Sequence, residues 1–183
     1  MSSEKQFRNP TEYGAPKPET ATFTATGGAS AVISNKKSNI KIESATIGRI
    51  VDYNQKDALN MGAVMACAAA DTLKRHLDDL NRKEDYYDLI LTGDLGLYGR
   101  EILKEFMMKE HKINISCNYN DCGVMLYDLE EQKEVLAGGS GPVCSALVLY
   151  GFILNEMKKK NIKKVLQSVL FFNKSRALLF STN

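Results

Sequence analysis

Apolar and small residues fill almost every position from Val143 to Leu154, VCSALVLYGFIL. A helix that is apolar all round is a buried one. It is shorter than the roughly 20 apolar residues a membrane span needs. Lys158, Lys159 and Lys160 follow; they return the chain to the surface and suit the negative end of the helix dipole. A helix buried on every side needs layers above and below it, so this stretch predicts a layered α/β architecture.

The rest of the chain alternates between strand and helix patterns. Thr22 to Thr26 favour a strand, Gly27-Gly28 a turn and Ala31 to Ile33 a second strand, together a hairpin. Ile40 to Asp52 is rich in β-branched residues and predicts one or two strands. Asp57 to Leu80 is helical: its first half is small and apolar, and Leu73, Leu77 and Leu80 form a stripe along its second half. Cys67 on this helix reads as a small core residue, and His76, beside Arg75 near the polar end, as a surface histidine.

Tyr87 to Thr92 reads as a strand, Gly93 to Gly99 as a glycine turn, and Arg100 to His111 as a helix with Ile102, Leu103, Phe106 and Met107 on its apolar face. His111 sits in a solvated helix end. In such units ligands bind beyond the carboxyl ends of the strands. Asp94 stands at that position, either as a functional acid or as a turn cap. Asp121-Cys122-Gly123 then forms a turn before a strand over Val124 to Tyr127. Ile162 to Leu166 begins another strand, and the tail QSVLFFNKSRALLFSTN shows no clear pattern.

The bend Ala137-Gly138-Gly139-Ser140-Gly141-Pro142 hands the chain into the apolar helix. Proline suits a first helical turn, where its missing N–H leaves no bond unmade. Backbone N–H groups at a helix N-terminus attract anions, and the Ser140 hydroxyl adds a donor. Glycines before a buried helix also simply let backbones pack closely. Both readings stand at this point.

Composition narrows the function classes. The net charge is +2 over 183 residues, whereas a dedicated nucleic-acid binder shows a concentrated basic face. The densest basic run, Met157 to Lys164, reads as a solvated helix end. The four cysteines, Cys67, Cys117, Cys122 and Cys144, match no zinc spacing, so no metal site or cofactor is expected. The opening MSSEKQFRNP is polar, unlike a signal peptide. The thiols are therefore expected to be reduced, and any membrane association peripheral. Residues 1–20 are polar, carry three of the four prolines, and read as an irregular segment ahead of a domain over 21–183.

Several motifs, in order along the chain, carry a resemblance. They are Asn9 to Pro16, NPTEYGAP; Ala45-Thr46-Ile47-Gly48 with Asp57 to Gly62; and Asp88 to Gly96, DLILTGDLG. Gly99-Arg100-Glu101, Asp121-Cys122-Gly123, and Ala137 to Gly141 with Cys144-Ser145-Ala146 complete the set. Together the sequence resembles the stage V sporulation protein AD family, a thiolase-fold family of spore-forming Firmicutes. The resemblance implies a thiolase-like layered α/β/α fold, mostly the second of two pseudo-repeats. It implies a role in dipicolinic acid uptake into the developing spore, binding the ligand, alone or as its calcium chelate, without catalysis. The implied partners are integral-membrane proteins of the same sporulation operon, and the implied place is the forespore inner membrane, peripherally. Cys122, Ser140, Cys144 and Asp94 fall on the family motifs and are, with Gly138, Gly139 and Gly141, the candidate ligand-binding residues.

Family members are nearly twice this long. The expectation is a truncated or frameshifted product that lacks much of the first half, including the place of a thiolase's nucleophilic cysteine. Its apolar helix would then expose a face that the first half covers. Two alternatives remain: a thiolase-type acyltransferase, which needs a cysteine paired with a histidine, and a non-functional remnant.

Overall fold

The computed structural model describes residues 18–54, 56–57, 60–171 and 174–182. The NPTEYGAP motif and most of the irregular N-terminal segment lie outside the described residues. The elements in chain order are β1 (Phe23–Thr24), β2 (Ile40–Ile50), α1 (Met61–Asp79), β3 (Leu89–Thr92), α2 (Gly96–His111), β4 (Tyr119–Asp121), α3 (Cys122–Met125), β5 (Gly139–Ser140), α4 (Cys144–Val148), α5 (Leu154–Lys158), β6 (Lys164–Phe171) and β7 (Lys174–Thr182). A π turn, Leu149–Ile153, joins α4 to α5. Five strands form one sheet in the order β2-β7-β6-β3-β4. β3 is parallel to β4 and β6, and β7 runs antiparallel to β6 and β2.

Strand residues alternate between two cores, as the two-residue period of a strand requires. Ile90, Leu166, Ala177 and Leu179 face one cluster with Ala66, Ala69, Ala70, Leu73 and Leu77 of α1 and Leu103 and Met107 of α2. Leu91, Val165 and Phe180 face the other, with Cys144, Val148, Leu149, Ile153 and Met157. A sheet with α1 and α2 on one side and α4–α5 on the other is a layered α/β/α arrangement.

Five sequence expectations need correction. The hairpin over Thr22–Ile33 is absent: β1 is short and pairs in parallel with β5, and residues 25–34 adopt no regular structure. A two-residue Gly-Gly turn favours a hairpin only when the second strand finds a neighbour, and here Val32 and Ile33 are 97% and 79% exposed. The segment after Asp121-Cys122-Gly123 is the helical turn α3, not a strand, because the Asp121 side chain accepts from Gly123 N and caps it. The tail forms β7, paired on both sides. Ala177, Leu179 and Phe180 are buried on both faces of the sheet, which erases the alternation a half-buried strand displays.

The apolar helix is covered on one side only. Cys144, Val148, Leu149, Ile153 and Met157 are buried, whereas Gly151 is exposed and Phe152 is 53% exposed. Helix α1 begins at Met61, where Asn60 caps it by accepting from Ala63 N. His76 is the fifth correction. It is fully buried between α1 and the sheet. Its Nδ1 lies 2.7 Å from Thr46 Oγ1 and its Nε2 2.9 Å from Tyr87 Oη. A histidine read from its own helix alone looks solvated, because the partners that hold it lie 30 and 11 residues away. Cys67 is buried as expected, and His111 is half-buried with its ring against Phe106.

Candidate functional site

The carboxyl ends of β3 and β4 lie side by side, and Asp121 ties together the turns that follow them. Its side chain is fully buried. Oδ2 accepts from Thr92 Oγ1 at 2.7 Å and from Leu95 N at 3.0 Å. Oδ1 accepts from Gly96 N and Gly123 N, both at 3.0 Å. Thr92 spends its one hydroxyl proton on Asp121, so Tyr119 Oη donates to Thr92 Oγ1 at 2.7 Å. Burial pushes the Asp121 carboxyl above the ordinary carboxylate range, and its hydrogen bonds from Thr92, Leu95 and Gly96 pull against that. A carboxylate with its lone pairs filled in this way is a structural anchor. It holds the glycine turn that starts α2 and the cap of α3. Asp directly ahead of Cys-Gly at a strand end is the signal that marks it in the sequence.

The bend itself is tightly packed. Gly138 has φ +112°, and Gly139 pairs with Phe23 in the β1–β5 ladder. A Cβ on Gly123 would fall 2.3 Å from the Gly139 carbonyl oxygen, and one on Gly138 2.7 Å from the Gly123 carbonyl oxygen. Both obstacles are backbone and cannot swing away. Gly123→Ala is therefore expected to cost about 2 kcal/mol, a Tm drop of about 6 °C. Gly28→Ala, with nothing within 4 Å of the new methyl, serves as control. Equal Tm values for the two variants would show that the bend tolerates a side chain.

Asp94 and Gly141 meet directly: Asp94 Oδ2 accepts from Gly141 N at 3.0 Å. This carboxylate holds the bend at the start of the apolar helix, which includes the turn-cap role open in the sequence. Asp94 and Ser140 also line a cavity of about 270 Å³. Its other walls come from Thr20 and Thr22 ahead of β1, Asn60 and Met61 at the start of α1, and Tyr98 of α2. Asn60 and Met61 fall in the Asp57 to Gly62 motif, but Thr20, Thr22 and Tyr98 carry no motif, and only the packing of α1 against the β3–α2 turn brings these distant residues together.

The cysteine candidates lie elsewhere. Cys122 and Cys144 are fully buried in the core beneath the bend and are not among the cavity walls. Cys122 Sγ accepts from Gln167 Nε2 at 3.8 Å. Burial, followed by the neighbouring Asp121, pushes its thiol well above the usual range. Burial, followed by Asp94 and Asp121, pushes the Cys144 thiol up to about 12. Burial thus disfavours the thiolate form at both positions. Among the candidates, the structure brings Asp94 and Ser140 to one cavity. Gly138, Gly139 and Gly141 form the backbone behind Ser140.

The model of the family described as stage V sporulation protein AD (SpoVAD) matches residues 1–171. The chain belongs to the stage V sporulation protein AD family. The stage V sporulation protein AD of Bacillus subtilis is 46% identical over 164 residues, 90% of this chain and 48% of that protein. The chain therefore spans about half the length of the curated relative it matches. In fold it is similar to the acetyl-CoA acetyltransferase of Bacillus anthracis, at TM-score 0.50 and 13% identity, covering 80% of this chain and 31% of that one. It is also similar to 3-oxoacyl-[acyl-carrier-protein] synthase III of Aquifex aeolicus, at TM-score 0.50 and 9% identity, covering 81% and 46%. These likenesses show a thiolase-like fold for this member of the stage V sporulation protein AD family. Strand β7, second in the sheet, lies past the last matched residue of the family.

Proposed function

We propose that this chain acts in dipicolinic acid uptake into the developing spore, holding the ligand beside Ser140 and Asp94 without transforming it. Family membership carries this reading. The chemistry of the site supports it. An acyl-transfer reaction needs a thiolate with a histidine in reach. Here Cys122 and Cys144 are sealed, and both ring nitrogens of His76 are taken up by Thr46 and Tyr87.

The cavity also bears on the form of the ligand. Dipicolinate is a rigid dianion, and the Asp94 carboxylate in the wall opposes a bare dianion. The calcium chelate is neutral overall, and its metal can take the carboxylate as an additional oxygen ligand. We therefore assign the chelate as the bound form. Delivery at the forespore inner membrane would run through integral-membrane proteins of the same operon. Among the described residues no helix is long and apolar enough to cross a membrane, which fits a peripheral role.

Calorimetric titration of the folded chain tests the reading. Dipicolinate with calcium is expected to bind at least about tenfold more tightly than dipicolinate in chelator. Asp94→Asn is expected to remove that difference. Turnover of an acyl-CoA by the same sample, with no heat from dipicolinate in either buffer, would replace this reading with the acyltransferase one.

A further inference from the structure

We propose that the N-terminus of α1, and not the start of the apolar helix, receives a carboxylate in the Ser140–Asp94 cavity, through the Met61 and Gly62 amides and the Ser140 hydroxyl. The name of the ligand rests on the dipicolinate reading; the carboxylate site itself rests on the geometry.

The sequence places an anion at the glycine bend, but the structure spends the donors there. Gly141 N donates to Asp94 Oδ2 at 3.0 Å. Cys144 N donates to the Gly141 carbonyl at 3.1 Å and Gly138 N to the Val135 carbonyl at 3.2 Å. Asp94 is thus already the anion at that end, and its charge opposes a second one.

Helix α1 is the other helix that begins at the cavity, and its donors are open. Asn60, Met61 and Gly62 all line the cavity. The Asn60 side chain accepts from Ala63 N at 3.1 Å, and the first turn holds no acidic residue. Among the described residues the Met61 and Gly62 amides have no acceptor. First-turn amides lack intrahelical partners and stand at the positive end of the helix dipole, here one of 19 residues. Tight packing fixes this end in place: a Cβ on Gly62 would fall 2.5 Å from the Leu95 carbonyl oxygen.

Ser140 supplies an independent sign of a ligand. It is only 6% exposed and lines the same cavity, yet its hydroxyl has no hydrogen-bond partner among the described residues. Buried hydroxyls are normally bonded, and one left open costs stability unless something enters to meet it. The cavity therefore offers two amides and a hydroxyl as donors, with the Asp94 carboxylate as acceptor. A ligand that carries both a carboxylate and a hard metal ion satisfies both kinds of group at once.

The test reads the two amides directly, by nitrogen–proton correlation spectra of the 183-residue chain. The probes are picolinate, which has a single carboxylate, and dipicolinate with calcium. Each is expected to move the Met61 and Gly62 amide protons downfield. Asn60→Asp keeps a cap of equal strength but adds a negative charge at the site. It is expected to weaken both probes at least about tenfold without lowering Tm. Asn60→Ser, an equal cap without the charge, should weaken them less than about threefold. Ser140→Ala should weaken them about tenfold. Picolinate shifts at these amides, with no binding of calcium dipicolinate, would uphold the carboxylate site and remove the dipicolinate reading. Unmoved Met61 and Gly62 amides, or undiminished affinity in Asn60→Asp, would overturn the site even where calcium dipicolinate binds the chain.

Discussion

Asp121→Ala is expected to remove about 4 kcal/mol or more of folding stability, because it strands three backbone amides and one hydroxyl at a cost of about 1–3 kcal/mol each. Those donors are Leu95 N, Gly96 N, Gly123 N and Thr92 Oγ1. A domain holds only about 5–15 kcal/mol in total, so the variant should be largely unfolded at 37 °C. Asp121→Asn keeps the volume but turns an NH₂ toward two of the donors, and should lose about half as much. Thr92→Val removes one donor to Asp121 and also the acceptor of the buried Tyr119 hydroxyl, and should cost about 1–3 kcal/mol. Urea unfolding of the three variants gives the order directly. An alanine variant within about 1 kcal/mol of the parent would mean that water replaces the carboxylate and that Asp121 is not the anchor described above.

The second large effect is on pH. Burial first, and the Arg82 charge second, push His76 down to about 4 from its ordinary value near 6.5. The unfolded chain therefore binds a proton at this ring that the folded chain refuses between pH 6.5 and 4. Stability falls as the pH falls through that window and levels off below it. The full loss is roughly 3 kcal/mol. The Thr46 and Tyr87 hydroxyls can still accept from a protonated ring, so the cost arises from the buried charge and not from broken hydrogen bonds. The raised carboxyl of Asp121 acts in the opposite sense, binding its proton more readily in the folded state. The clean readout is thus the difference between the parent and His76→Gln in urea midpoints at pH 7, 5.5 and 4. The parent should lose its advantage steadily across that range. Parallel midpoints for both proteins would show that His76 stays solvated or titrates normally.

Helix and strand positions were legible where one element's own residues carry the pattern. Leu73 and Leu77 on α1 and Leu103 and Met107 on α2 are at helical spacing, and all four are buried. The strand, turn and helix from Leu89 to His111 place Asp94 at a strand's carboxyl end, beside the bend it holds. The family motifs made the fold class legible as well. What failed were local readings whose answer depends on a distant neighbour. His76 looked solvated because Thr46 and Tyr87 are invisible from its helix. The segment 31–33 looked like a strand because composition cannot tell whether a sheet edge is available. β7 looked patternless because burial on both faces removes the polar alternation.

The local sequence specifies α1, α2, β3 and the glycine bend, since propensity, capping and turn chemistry act within a few residues. Tertiary packing decided that Cys122 and Cys144 are sealed while Ser140 and Asp94 share a cavity. Burial and desolvation depend on what lies above and below a residue, and those layers here come from segments as far apart in sequence as Ala25 and Phe180.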